Sequence, residues 1–249
     1  MRVAAISDIH GNLLALQAVL DHINAQQVDL TVNLGDILSG PLAPSATADF
    51  LMSLDLPTIQ GNHERQVLTQ SLAEMGASDL YARMQISPAH LQWLESLPTE
   101  LTVGSDILLT HGSPGNDLLY LLETAENNDI RPATEAEIST RLGESCYPLV
   151  LCGHTHIPRI VQLADGRLIV NPGSVGLQAY EADYPCPHTV QTGSPEARYA
   201  IVEKTEDGWT AELHAVPYDY EGAAKLADSR QRADWATALR SGILKSLST

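Results

Sequence analysis

Ser7-Asp8-Ile9-His10-Gly11-Asn12 lies between a short apolar run, Val3 to Ile6, and a stretch in which Leu13, Leu16, Leu20 and Ile23 recur three or four residues apart. The run reads as a buried strand and the stretch as an amphipathic helix. Asp8 and His10 therefore fall in a turn at the carboxyl end of a strand, where open α/β sheets place their ligands. A carboxylate and an imidazole two residues apart reach one point in space if the backbone between them is extended or tightly turned. Both side chains bind divalent first-row metals. The same six residues also fit an ordinary helix start, with Asp8 complementing the helix dipole and His10 as a turn residue.

The pattern recurs outward from this turn. Val28 to Leu34 reads as a second strand and ends in Gly35-Asp36. Ser45 to Leu54 is a short helix, and Leu56 to Gln60 a third strand that runs into Gly61-Asn62-His63-Glu64. Arg65 to Met75 and Pro88 to Leu97 read as helices, the second with Pro in its first turn. Leu101 to Val103 and Asp106 to Thr110 form a hairpin whose second strand ends in His111-Gly112. Thr134 to Leu142 is a helix opened by a Thr134–Glu137 capping box. Tyr147 to Cys152 is a strand ending in Gly153-His154-Thr155-His156. Hairpins follow about Asp165-Gly166 and Asp207-Gly208, residues 181–197 read as an irregular excursion, and the tail from Tyr220 to Leu247 is helical. With no internal repeat and no linker, residues 1–249 are expected to form a single domain.

Composition narrows the function classes. Of 249 residues 44% are hydrophobic, enough for a full core, with one Phe and three Trp among them. No apolar run reaches the ~18 residues of a membrane span, and none near the N-terminus has the form of a secretory leader. The three cysteines, Cys146, Cys152 and Cys186, are odd in number and lack metal-type spacing. They read as reduced thiols of a cytoplasmic protein. A net charge of −17 excludes wrapping a nucleic-acid duplex. Such a protein can still bind a phosphate where bound cations dominate the local field.

Asp8, His10, Asp36, Asn62, His63, His111, His154 and His156 are thus the strand-end residues, and they include five of the nine histidines. His22, His90, His188 and His214 lie elsewhere and read as exposed or satisfied. The clustered set offers oxygen and nitrogen donors without thiolate. That suits manganese first, then iron, zinc, nickel or cobalt, and not a Cys-rich structural zinc site. The number of donors exceeds one coordination sphere and suits two ions sharing a carboxylate.

In this order the motifs resemble those of the calcineurin-like metallophosphoesterases, over residues 1 to about 175. Ser7 to Asn12 and Asn171-Pro172-Gly173-Ser174 resemble the small bacterial phosphodiesterase branch in particular. The resemblance implies a four-layer αββα sandwich of two mixed β-sheets flanked by helices. It implies two divalent ions, one held by Asp8, His10, Asp36 and His156, the other by Asp36, Asn62, His111 and His154, with Asp36 bridging. His63 would face the substrate as general acid, while a hydroxide bridging the metals attacks phosphorus in line. The larger protein-phosphatase branch carries a second Asp and an Arg after the bridging Asp, where this chain has Ser39 and Gly40. The orienting partner expected for His63 is therefore weakened. The missing guanidinium favours a phosphodiester over a dianionic monoester. The expected partner is a small phosphate-ester or nucleotide substrate, without duplex nucleic acid or membrane, and a homo-oligomer is compatible with the chain. Phosphomonoesters and dinucleoside polyphosphates are the alternative substrates. A non-catalytic protein-binding scaffold on the same fold is the alternative of another class. Arg65 and Arg159 read as ion-paired, Glu64 as a helix N-terminal carboxylate, and Cys152 as core. Trp93, Trp209 and Trp235 read as core or interface.

Overall fold

The computed structural model describes residues 1–244; the last residues of the helical tail read from the sequence, 245–247, lie outside the described residues. In chain order the elements are β1 (Arg2–Ile6), α1 (Leu13–Asn24), β2 (Leu30–Asn33), α2 (Pro44–Met52), α3 (Asn62–Thr69), α4 (Ala77–Gln85), α5 (Pro88–Ser96), β3 (Glu100–Val103) and β4 (Ile107–Thr110). There follow β5 (Glu123–Glu126), β6 (Asp129–Pro132), α6 (Glu135–Leu142), β7 (Leu149–Leu151), β8 (Arg159–Gln162) and β9 (Leu168–Asn171). The chain continues with β10 (Ala179–Ala182), β11 (His188–Gln191), β12 (Ala197–Thr205), β13 (Gly208–Val216), α7 (Tyr220–Ser229) and α8 (Ala233–Ser241).

Two mixed sheets form the centre. One runs β13-β12-β1-β2, with β1 and β2 parallel; the other runs β3-β4-β7-β9-β8, with β4, β7 and β9 parallel. Strand alternation sorts each run into two faces. Val3 and Ala5 of β1 meet Ile107, Leu109, Leu149, Leu151, Leu168 and Val170 in the core between the sheets. Ala4 and Ile6 turn to the opposite face, against Leu16, Val19 and Ile23 of α1. On the far side of the second sheet, Leu108, Val150 and Ile169 pack on Ile138 and Leu142 of α6. Helix, sheet, sheet, helix is the expected layering. Near-continuous apolar strands such as Leu149–Leu151 follow from burial on both faces.

Several local expectations need correction. Residues 56–60 run beside β2 but pair only at a single Asn33–Thr58 bridge; Pro57 has no N–H for a continuous ladder. The helix expected over 65–75 is displaced: α3 starts at Asn62, which puts Asn62 and His63 on its first turn, and ends at Thr69. Helix α4 had no counterpart in the sequence reading. The excursion at 181–197 contains the β10–β11 hairpin, and the C-terminal tail is two helices broken at Gln231, which is left-handed. Helix α1 is capped by Asn12, whose Oδ1 accepts from Ala15 N at 3.2 Å, so Asp8 is released from the cap. Among the described residues, no helix is long and apolar enough to cross a membrane.

Candidate metal centre

The parallel strands of both sheets end at one edge of the sandwich, and the turns after them carry the candidate residues. Asp8, His10, Asp36, His154 and His156 all have positive φ, between 52° and 69°. For residues with a Cβ this left-handed conformation is uncommon and costs about 1 kcal/mol or more, and it clusters where function over-determines the backbone. The Asn171–Ser174 loop braces these turns. Ser174 Oγ donates to Asp8 O at 2.7 Å, and Asn171 Nδ2 donates to Gly153 O at 2.7 Å.

Two groups of donor atoms result. Asp8, His10 and His156 lie together, all buried, and Asp36, His111 and His154 form the second group, with all donor atoms of a group within 4.8 Å of one another. Asn62 Oδ1 joins the second group, 3.1 Å from His111 Nε2. In the first group, His10 Nδ1 donates to Ser39 O at 2.7 Å and His156 Nδ1 to Leu177 O at 2.7 Å. Those bonds fix both tautomers and leave both Nε2 atoms bare, facing each other at 3.1 Å. Asp8 Oδ1 lies 3.3 Å from His156 Nε2, buried and, among the described residues, without a hydrogen-bond partner. Three acceptors aimed at one point, with no hydrogen among them, fit a cation.

For His10 and His154 the electrostatics agree. Burial, then His156, pushes the His10 pKa down to about 4; burial, then His111, pushes His154 to about 3. Both are therefore neutral at pH 7, the form that binds metal. Burial also disfavours the His111 imidazolium, but the Asp36 carboxylate 3.1 Å away outweighs it and lifts the pKa to about 10. Burial pushes Asp36 up, yet His111 and His63 hold it well below the usual carboxylate range.

His63 stands apart from these donors. Its Nε2 is 4.0 Å from Asp36 Oδ2, and its backbone N donates to Asp36 Oδ1 at 3.0 Å. The weakened orienting partner is corrected: Asp79 Oδ1 of α4, itself 4% exposed, lies 2.7 Å from His63 Nδ1. Burial works against the imidazolium, but Asp36 and Asp79 together raise the pKa to about 9. The position the sequence left vacant at residue 39 is thus served from a helix forty residues later. Its only local signal is Ser78-Asp79 after Gly76, ahead of the helix formers Ala82 to Gln85.

Glu64 does more than complement a helix N-terminus. It closes a capping box onto Gly61 N at 2.9 Å, and its two oxygens also accept from Asp36 N and Ile37 N, both at 2.8 Å. One buried carboxylate therefore ties the α3 start to the Asp36 turn. Glu64→Ala orphans three buried N–H groups and is expected to cost about 3 kcal/mol or more in urea unfolding, with Glu64→Gln recovering part of it. An unchanged midpoint for Glu64→Ala would show that the clamp contributes nothing.

The groups open onto a cavity of about 550 Å³. Its far wall comes from the hairpin β10–β11 and from α8, which the sequence reading did not connect with the site. Tyr180 lies 4.6 Å from the His156 ring and Tyr120 4.9 Å from the His154 ring. Trp235, 6% exposed, lies edge-on to His10 with ring centres 6.0 Å apart and closes over Gly40. A Cβ on Gly40 would meet the indole at 2.7 Å, so no larger residue fits there. Trp209 is core, as expected, and so is Cys152. Arg65 makes a bidentate pair with Asp117, and Arg159 pairs with buried Glu123 at 2.6 Å. His90 and His188 are satisfied, by Asp49 and by Tyr120.

Comparison with known proteins comes to the same place. Residues 1–194 match the model of the calcineurin-like phosphoesterase superfamily domain. An uncharacterised protein of Methanocaldococcus jannaschii is 26% identical over 244 residues, with 94% of each chain covered. A metallophosphoesterase from Sphaerobacter thermophilus superposes with a TM-score of 0.74 at 26% identity, covering 98% of this chain and all of that one. A hypothetical protein from Pyrococcus horikoshii shares the fold, with a TM-score of 0.73 at 18% identity over 98% of this chain and 99% of its own.

Proposed function

The chain belongs to the calcineurin-like phosphoesterase superfamily, and from that premise we propose that it hydrolyses small phosphate esters with two bound divalent ions, preferring phosphodiesters. The observation that carries the reading is the pair of bare imidazole nitrogens of His10 and His156, 3.1 Å apart with buried Asp8 Oδ1 3.3 Å from His156 Nε2, beside a second group of the same kind. When bound, such ions lower the pKa of a water nucleophile and neutralise the phosphoryl oxygens. Asp8, His10, Asp36 and His156 would hold one ion and Asp36, Asn62, His111 and His154 the other, with Asp36 shared between them. Manganese is the first choice for an oxygen- and nitrogen-donor set, ahead of iron, zinc, nickel and cobalt.

The chain's own residues supply the rest. His63, protonated and steered by Asp79, gives its proton to the departing alkoxide. Asn62 is a neutral donor and limits negative charge where an anion must enter. Ser39 and Gly40 offer no guanidinium beside the metal groups, and Trp235 fills the space one would need. A singly charged diester requires less neutralisation than a monoester dianion, which supports the diester preference. The scaffold reading would leave His63, Asp79 and both donor groups without a use.

The test strips metal from the purified chain and assays bis(4-nitrophenyl) phosphate and 4-nitrophenyl phosphate with and without added Mn²⁺. Metal-dependent turnover is expected for both, with the higher kcat/KM on the diester. No turnover of either ester would overturn the hydrolase reading, and a faster monoester would overturn the preference.

A further inference from the structure

Arg232, at the start of α8, is the only Arg or Lys lining the cavity among the described residues. Its guanidinium lies 5.7 Å from the Trp235 ring centre, and NH1 donates to Ser78 Oγ at 3.1 Å. Ser78 adjoins Asp79, which holds His63. Arg232, Ser78, Asp79 and His63 therefore share one flank of the cavity. In the hydrolase reading, on which this inference rests, His63 protonates the leaving oxygen, so the leaving group must lie on that flank.

From this juxtaposition we infer that Arg232 and Ser78 form a subsite for the leaving group, and that the physiological leaving group carries a second anionic group such as a further phosphate. Two points favour a ligand over a purely local ion pair. Nε and NH2 bond Asp234 at 2.6–3.1 Å, and NH1 bonds Ser78, which leaves two of the five guanidinium N–H donors free. Asp234 is 58% exposed on its side chain, so it can give way to a bidentate phosphate at little cost. The remaining charge on the wall sets the direction. Glu181 and Asp183 stand on the hairpin side and repel an anion there, so the second charge is directed to Arg232.

The opposed roles of Arg232 and Asp234 give variants of opposite sign. With the metal-loaded protein, kcat/KM is compared for diadenosine triphosphate, whose leaving nucleotide carries a further phosphate, and for bis(4-nitrophenyl) phosphate, whose leaving group carries none. Arg232→Ala is expected to lower the ratio of the two values about tenfold or more, and Asp234→Asn to raise it. Equal losses on both substrates, or a fall in the ratio for Asp234→Asn, would overturn the subsite. Should neither compound be turned over, the hydrolase reading falls and the subsite is read by binding. Diadenosine triphosphate should then quench tryptophan fluorescence, with a Kd about tenfold or more weaker in Arg232→Ala and tighter in Asp234→Asn. No change of Kd in either variant would sink it.

Discussion

His63→Ala is expected to lower kcat about 10²–10⁴-fold while both metal equivalents stay bound. The side chain lies 4.0 Å from the nearest Asp36 oxygen and outside both donor groups, so removing it leaves the metal donors in place. What is lost is a proton donor that, in the metal-free protein, the Asp36 and Asp79 carboxylates lift to a pKa of about 9. The loss should depend on the leaving group. A 4-nitrophenolate departs with little help, so the deficit is smallest there and grows for alkyl esters, whose alkoxides need the proton. Asp79→Asn removes the carboxylate 2.7 Å from Nδ1 and is expected to cost a smaller factor, roughly 10- to 100-fold, with the same dependence on leaving group. Metal content by elemental analysis and kcat on an aryl and an alkyl diester check both. A His63→Ala protein that loses an ion would assign His63 to the metal centre. A deficit equal on the two esters would remove the general-acid role.

Asp36→Asn should be the most damaging isosteric change. Asp36 is the only carboxylate of the second donor group, with Oδ2 3.1 Å from His111 Nε2 and Oδ1 bonded to His63 N at 3.0 Å. The amide keeps the volume and removes the charge. At least one of two metal equivalents per chain is expected to be lost, and turnover to fall roughly 10³-fold or more. Larger replacements are poor controls, because Gly61 is packed against the carboxylate so closely that even a Cβ there would collide with it. Full metal content together with near-normal turnover would show that the second group holds no catalytic ion.

Much of this molecule is legible one residue at a time. The apolar run Val3–Ile6 and the 3.6-residue period after Leu13 specify a strand and a helix, because each face is set by neighbours a few positions away. The Thr134–Glu137 box and Asp165-Gly166 work over the same short range. Most donor residues declare themselves because they follow strand ends; Asn62 opens α3 after a stretch that makes only a single bridge to β2. What the chain alone did not disclose depends on contacts between distant segments. Asp79 reaches His63 from a helix with weak local signals, and Trp235 and Arg232 reach the cavity from some 200 residues beyond Asp36. Glu64 looks like a helix cap until the Asp36 turn is brought onto its oxygens. Periodicity records how a segment meets the core. Which side chains from separate segments meet each other is decided only when the layers pack, since that depends on the summed geometry of every element between them.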